Sequence, residues 1–256
     1  TLTGEYLLSF YLLSLLKRRL WLYNMEGRGE GMDTSTTGRF APSPSGRMHL
    51  GNVLCALLAW LSARSKGGGF LLRIEDLDEM RCPRSYAAQI IEDLHWLGLD
   101  WDDITAQNPG AQRYQAALQG IPEAVRLSMY QSNRTPVYEY FEDILRQKGL
   151  LYPCFCSRAA LHAASAPHLS DGRVVYTGTC RGLTAAEVAA KRKTRAPATR
   201  VPVPDEIVTF TDGCRGAYTE NLRTECGDFI IRRSDGVFAY QLAVTVDDGL
   251  MGVTEV

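Results

Sequence analysis

Residues 38–78 read GRFAPSPSGRMHLGNVLCALLAWLSARSKGGGFLLRIEDLD. Gly38-Arg39-Phe40-Ala41 is a short strand candidate, and Pro42-Ser43-Pro44-Ser45-Gly46 then forbids helix and makes a stiff turn. From Asn52 to Arg64, Val53, Leu54, Leu57, Leu58 and Leu61 recur at helical spacing, and Gly67-Gly68-Gly69 ends that helix. Phe70 to Ile74 is a second strand, running straight into Glu75-Asp76-Leu77-Asp78. A further amphipathic helix over 85–97 carries Ile90, Ile91, Leu94 and Leu97 on one face. Strand, helix, strand and helix joined by short turns predict an α/β fold with a doubly wound parallel sheet.

Outward from this core the pattern loosens. Ile104 to Ser128 is weakly patterned and reads as an insertion. Tyr138 to Lys148 is a helix with Tyr138, Phe141, Ile144 and Leu145 as its apolar stripe and Gly149 at its end. Thr184-Ala185-Ala186-Glu187 is a capping box opening a helix to about Lys193. Residues 195–210 alternate and carry prolines, which suggests edge strands. Asp228 to Arg232 and Val237 to Val246 are expected as strands flanking the hairpin turn Ser234-Asp235-Gly236.

The chain has 256 residues, 28 Lys+Arg against 29 Asp+Glu, 45% hydrophobic and 22% charged residues. That composition excludes a disordered chain, a collagen-like fibre and a polytopic membrane protein. The near-zero balance excludes a polycation that grips nucleic acid by bulk charge. Seven cysteines in a chain of this length fit a reduced, cytoplasmic protein with some thiols in a metal site better than a disulfide scaffold. At the start, Leu7 to Leu16 is an apolar run too short to span a membrane, and its positive charges follow it rather than precede it. It reads as a read-through leader ahead of a start at Met25 or Met32, with a surface-bound helix as the alternative. At the other end the sequence looks cut rather than finished.

His49-Leu50-Gly51-Asn52 stands after a strand and a turn, at the opening of a helix. Helix N–H groups and the dipole favour an anion there, and Gly51 lets a phosphate approach the backbone. His49 could donate to a phosphate as charge develops. On this tetrapeptide alone, a surface histidine capping a helix is the preferred explanation. Cys154-Phe155-Cys156 followed by Tyr176-Thr177-Gly178-Thr179-Cys180 brings three thiols together, and tetrahedral zinc needs a fourth ligand. Generic chemistry nominates His162 or His168.

Taken together, Arg39 to Gly46, His49 to Asn52 and Arg73 to Asp78 closely resemble the glutamyl branch of the class I aminoacyl-tRNA synthetases. Asn52 stands where their HIGH signature ends in His. The resemblance implies a Rossmann-type nucleotide-binding sheet carrying an inserted zinc-bearing α+β module. It divides the chain into a leader (1–38), a first catalytic half (39–151, with an insertion at about 104–128), a zinc-bearing acceptor-binding insertion (152–226) and a second catalytic half (227–256). It implies ATP with Mg and glutamate as substrates, glutamyl-adenylate as the intermediate, and a tRNA as acceptor. His49 and Asn52 would be catalytic, and His49, Gly51 and Asn52 would bind nucleotide. Arg39, Phe40, Ala41, Pro42, Ser43, Glu75 and Tyr240 would bind glutamate, with Arg39 a bidentate donor to its carboxylate and Glu75 facing its ammonium. Against this, Arg39 and Glu75 could form a structural ion pair, and Tyr240 could be core.

The resemblance also extends to the thiols. Cys-x-Cys with Tyr-x-x-x-Cys is similar to the zinc site of the glutamyl-Q tRNA(Asp) synthetases, which implies Cys154, Cys156, Tyr176 and Cys180 as ligands, with His168 as the fallback. Ser45 where larger glutamyl enzymes usually have Thr, and the segments 164–168 and 176–181, point the same way. The partner would be tRNA(Asp) carrying queuosine, and the protein a cytoplasmic monomer without membrane attachment. The front part of a glutamyl-tRNA synthetase and a non-catalytic nucleotide- or tRNA-binding remnant are the alternatives. The Arg-Gly pair and the lysine-rich KMSKS-type loop that follow in both relatives are not among these residues, so adenylation by these 256 residues alone is expected to be weak or absent.

Overall fold

The computed structural model describes residues 36–105, 118–157 and 175–256. All but the last three residues of the leader, part of the 104–128 insertion, His162 and His168 lie outside the described residues. Among those described, the chain divides into two compact units, one of 36–141 with Val246–Val256 and one of Glu142–Thr245.

The first unit is built on strand β1 (Thr37–Phe40), helix α1 (Leu50–Ser65) and strand β2 (Gly69–Leu72). β1 and β2 pair in parallel from Thr37↔Gly69 to Phe40↔Leu72. Parallel bridges Leu71↔Asp102 and Ile74↔Tyr130 extend the pairing beyond β2. Such a strand is covered on both faces, which is why Phe70, Leu71, Leu72 and Ile74 are all buried and read as one apolar run. Helix α2 (Arg84–Trp96) buries Ala87, Ile90 and Leu94, while Leu97 is left exposed. After the last helix, Thr254 and Glu255 N–H groups return to the Thr37 carbonyl at 2.9 and 3.2 Å.

Helix α1 faces the sheet with a different stripe from the one its leucines suggest. Ala56 and Ala63 are fully buried, whereas Leu54, Leu57, Leu58 and Leu61 are 39–57% exposed. The reason is close approach. A Cβ on Gly38 would sit 3.1 Å from the Ala63 Cβ and 3.5 Å from the Ala59 carbonyl, so only small residues fit between helix and strand.

Helix α3 (Glu123–Arg126) and a 3₁₀ turn (Gln131–Arg134) lead into helix α4 (Thr135–Gln147). α4 buries Tyr138, Phe141 and Leu145 as expected, with Val137 in addition and Ile144 only half-buried. Gly149 takes a left-handed φ of 67° just past its end.

The second unit holds an antiparallel sheet of strands β3 (Tyr152–Cys154), β4 (Ala198–Val201) and β7 (Phe229–Arg232) in the order β3-β4-β7. Strands β5 (Ile207–Asp212) and β6 (Gly216–Asn221) form a separate hairpin. Helix α5 (Ala185–Arg192) starts with the expected reciprocal bonds between Thr184 and Glu187. The strand expected over 237–246 is not there. Beyond the turn at Gly236 a single bridge, Arg232↔Phe238, gives way to helix α6 (Tyr240–Met251). Leu242, Ala243, Val244, Val246, Leu250 and Met251 are all buried. A helix apolar all round has no 3.6-residue signal to separate it from a buried strand, and burial overrides the β-branched preference of Val244, Thr245 and Val246. The boundary between units falls within α4 and α6. Among the described residues no helix is long and apolar enough to cross a membrane.

Candidate active site and thiol cluster

The 42–46 turn connects two places where the expected site residues gather. At its start, Arg73 N–H donates to the Phe40 carbonyl at 3.0 Å and Glu75 N–H to the Pro42 carbonyl at 2.9 Å. Arg39, Phe40, Ala41, Pro42 and Ser43 therefore run beside Arg73–Glu75. Phe40 and Pro42 are buried there, and Ser43 is exposed. At the far end, His49 caps α1. Its Nδ1 accepts from Gly51 N–H at 3.0 Å and from Asn52 N–H at 3.4 Å, while Asn52 Oδ1 accepts from His49 N–H at 3.1 Å. A Cβ on Gly51 would come 2.8 Å from the His49 ring, so glycine is what lets the ring fold back. With its lone pair at Nδ1 engaged, the neutral imidazole carries its proton on Nε2. The cap and the donor are thus two ends of one ring, and Asn52 takes part through its amide oxygen.

In the acidic corner Arg39 Nε and Nη2 donate to Asp248 at 2.8 and 3.1 Å, so the resident partner is not the Glu75 of the structural ion-pair alternative. Glu75 instead accepts from Arg73 Nη2 at 3.1 Å, and Arg73 Nη1 reaches Asp248 at 2.5 Å. Behind them Asp247, fully buried, accepts from Gln131 Nε2, Arg134 Nε and Tyr138 Oη, each at 2.8 Å. Burial pushes the Glu75 carboxyl above its ordinary range, against the pull of Arg73 and Arg39. Burial works the same way on Asp248, but Arg73 and Arg39 outweigh it and hold that carboxyl low. From the sequence alone, no part in this corner is readable for Arg73, Gln131, Arg134, Tyr138, Asp247 or Asp248. The available signal was an acidic pair placed directly after an apolar run, at 247–248. Tyr240 opens α6 in the other unit and is about one third exposed.

In the second unit the strand period of two directs Tyr152 and Cys154 inward from β3. Cys154, Cys156 and Cys180 bring their Sγ atoms within 4.8 Å of one another. The Tyr176 hydroxyl joins them, 3.4 Å from Cys154 Sγ and 3.9 Å from Cys156 Sγ. Cys156 and Cys180 Sγ are 3.7 Å apart. Tetrahedral zinc with S at about 2.3 Å and O at about 2.0 Å requires edges of about 3.8 Å for S···S and about 3.5 Å for S···O, and these three separations lie close to them. The Tyr176 oxygen accepts from Cys180 N–H at 2.9 Å, and the Arg200 guanidinium lies 3.8 Å over the Tyr176 ring. Gly227, at φ +68°, backs this tyrosine so closely that a Cβ would meet the Tyr176 carbonyl at 2.6 Å. Cys55, Cys82, Cys214 and Cys226 stand outside this group.

Comparison with known proteins places this geometry in context. The family model described as tRNA synthetases class I (E and Q), catalytic domain, matches residues 35–256. Among curated relatives, the glutamyl-Q tRNA(Asp) synthetase of Nitratidesulfovibrio vulgaris is 46% identical over 221 residues, 86% of this chain and 64% of that protein. That of Symbiobacterium thermophilum is 48% identical over the same shares. A glutamate–tRNA ligase 2 of Alkalilimnicola ehrlichii is 42% identical over 87% of this chain and 44% of its own length. The crystal structure of a glutamate tRNA ligase from Elizabethkingia meningosepticum in complex with its amino acid matches with a TM-score of 0.65 at 30% identity, covering 86% of this chain and 43% of that one. The chain thus spans about two thirds or less of the relatives it matches. By the extent of that match and the Rossmann-like first unit, this chain belongs to the class I tRNA synthetases of the E and Q branch, as part of their catalytic domain.

Proposed function

We propose that the chain is part of an enzyme that activates glutamate with ATP and transfers it to the queuosine base of tRNA(Asp). The observation that carries this reading is the polar corner of Arg39 and Glu75, joined by the 42–46 turn to a helix N-terminus whose capping histidine offers Nε2–H. Glu75 neutralises the substrate ammonium, and Arg39 meets a substrate carboxylate. The α1 N-terminus and His49 Nε2–H stabilise charge on the phosphates of Mg-bound ATP. Glutamate's carboxylate attacks the α-phosphorus, pyrophosphate leaves, and the acyl group of the resulting adenylate passes to the RNA. The names of the two glutamyl-Q relatives, and the Tyr176-completed thiol cluster, favour queuosine over the tRNA 3′ end as acceptor.

Cys154, Cys156, Tyr176 and Cys180 would hold zinc, which supplies a structural cross-link to a module that meets the RNA. This reading keeps the division into 39–151, 152–226 and 227–256, and a cytoplasmic monomer. A second reading, the front of a glutamyl-tRNA synthetase, draws on the Alkalilimnicola relative. Labelled glutamate with ATP and either queuosine-bearing tRNA(Asp) or tRNA(Glu) separates the two. Label on tRNA(Asp) supports the first reading, and label on the 3′ end of tRNA(Glu) the second. No glutamate binding by calorimetry overturns both.

A further inference from the structure

An arginine offers a carboxylate two paired edges, a side-on edge of Nε and Nη2 and an end-on edge of Nη1 and Nη2. Asp248 occupies the side-on edge of Arg39, at 2.8 and 3.1 Å. No partner for the Arg39 end-on edge is present among the described residues, and the Arg39 side chain is 10% exposed. Asp248 also accepts from Arg73 Nη1, and Arg73, wholly buried, donates through Nη2 to Glu75. Arg39, Asp248, Arg73 and Glu75 therefore alternate in sign along one hydrogen-bonded line. Its two outer members are the groups assigned above to the substrate.

We propose that Asp248 is a positioning residue for amino-acid recognition, a permanent strut that turns the end-on edge of Arg39 toward a ligand carboxylate and, through Arg73, holds Glu75 for the ligand ammonium. The inference rests on the glutamate-binding reading of this corner. It differs from that reading in one consequence: Asp248 is not a stand-in that the ligand carboxylate displaces. Displacement would leave a carboxylate that is only 15% exposed with one of its two cations removed, an outcome that buried ion pairs resist. A ligand carboxylate taking the free edge instead leaves every existing bond in place. When the ligand's side-chain carboxylate takes that edge, a glutamine amide in its place accepts only one good bond, so the strut then favours glutamate over glutamine.

The test uses the full chain and calorimetry with L-glutamate and, separately, with ATP. Asp248→Asn is expected to weaken glutamate at least 30-fold and to leave ATP within twofold, whereas a merely structural lesion weakens both alike. Unmutated protein that binds no glutamate overturns the parent reading and the strut together. Unmutated protein that binds glutamate, with D248N within threefold of it or with ATP weakened equally, overturns the strut alone. A second measurement needs no Asp248 variant to fold. In ¹⁵N-arginine NMR, the Arg39 Nε–H signal, assigned by its loss in Arg39→Lys, should stay slow to exchange and unmoved on adding glutamate. Loss of that protection would mean Asp248 had been displaced, and would overturn the proposal.

Discussion

Asp247→Asn removes one charge from a fully buried polar cluster of the first unit and almost nothing else. The carboxylate is fully buried and accepts from Arg134 Nε, Gln131 Nε2 and Tyr138 Oη at 2.8 Å each, with Arg73 Nε at 3.8 Å. Arg134 and Arg73 are themselves wholly buried. Breaking a buried pair from one side costs about 3–5 kcal/mol, because the remaining charge is stranded. An amide also turns an NH₂ toward donors, and one donor left unmet costs about 1–3 kcal/mol. The two effects share one group and do not add, so a loss of about 4 kcal/mol is expected. With an m-value of about 2 kcal/mol/M, the urea midpoint of this unit falls by about 2 M. Trp60 and Trp101, both in that unit, report it by fluorescence. Tyr138→Phe removes the hydrogen bond to Asp247 and no charge, and should cost only about 1 kcal/mol. If D247N shifts the midpoint no further than Y138F, charge compensation is not what holds these helices, and the reasoning fails.

Tyr176→Phe deletes the oxygen donor of the thiol cluster while keeping the ring under Arg200; zinc affinity, read by chelator competition, should fall at least tenfold, and an unchanged value would point to another fourth ligand. Gly227→Ala forces a Cβ into the Tyr176 backbone at a positive φ and should lower thermal stability of the second unit and zinc retention together; an unaffected melting profile would contradict the close approach. Glu75 sets a pH dependence whose sign follows from burial. Its carboxyl is raised above 4.5, so the folded chain holds more protons than the unfolded one in the window just above that value, and stability falls as pH rises through it. Asp248, held below 3.8, acts oppositely: its contribution is present above that value and is lost as pH falls through its lowered pKa. Glu75→Gln should remove the first slope and leave the second, as urea titrations between pH 3 and 7 would read.

The β1–α1–β2 unit was legible because every device that makes it is local: proline punctuation, a helical repeat and a glycine stop. The Thr184–Glu187 cap and the Cys-x-Cys pair were legible for the same reason. The inward face of α1 was not, because the leucines outnumber the alanines in any apolar count, while the small residues are chosen by Gly38 across the sheet. Helix α6 was misread as a strand because its apolar residues surround it. Arg39 is expected from the sequence to meet a substrate carboxylate, and the carboxylate it meets within the fold lies 209 positions away. Sequence spacing carries no information at that range, and only the fold brings 247–248 back to residues 39, 73 and 134.

The folded-back ring of His49 has a consequence for how variants at the helix mouth are interpreted. An alanine there strips the first turn of its cap, worth about 1 kcal/mol, at the same stroke as it deletes the outward Nε2–H. A slowed reaction in that variant confounds loosened architecture with lost chemistry. Asparagine, a strong cap without that outward proton, separates the two, and an alanine scan of this loop would credit to catalysis what belongs in part to the scaffold.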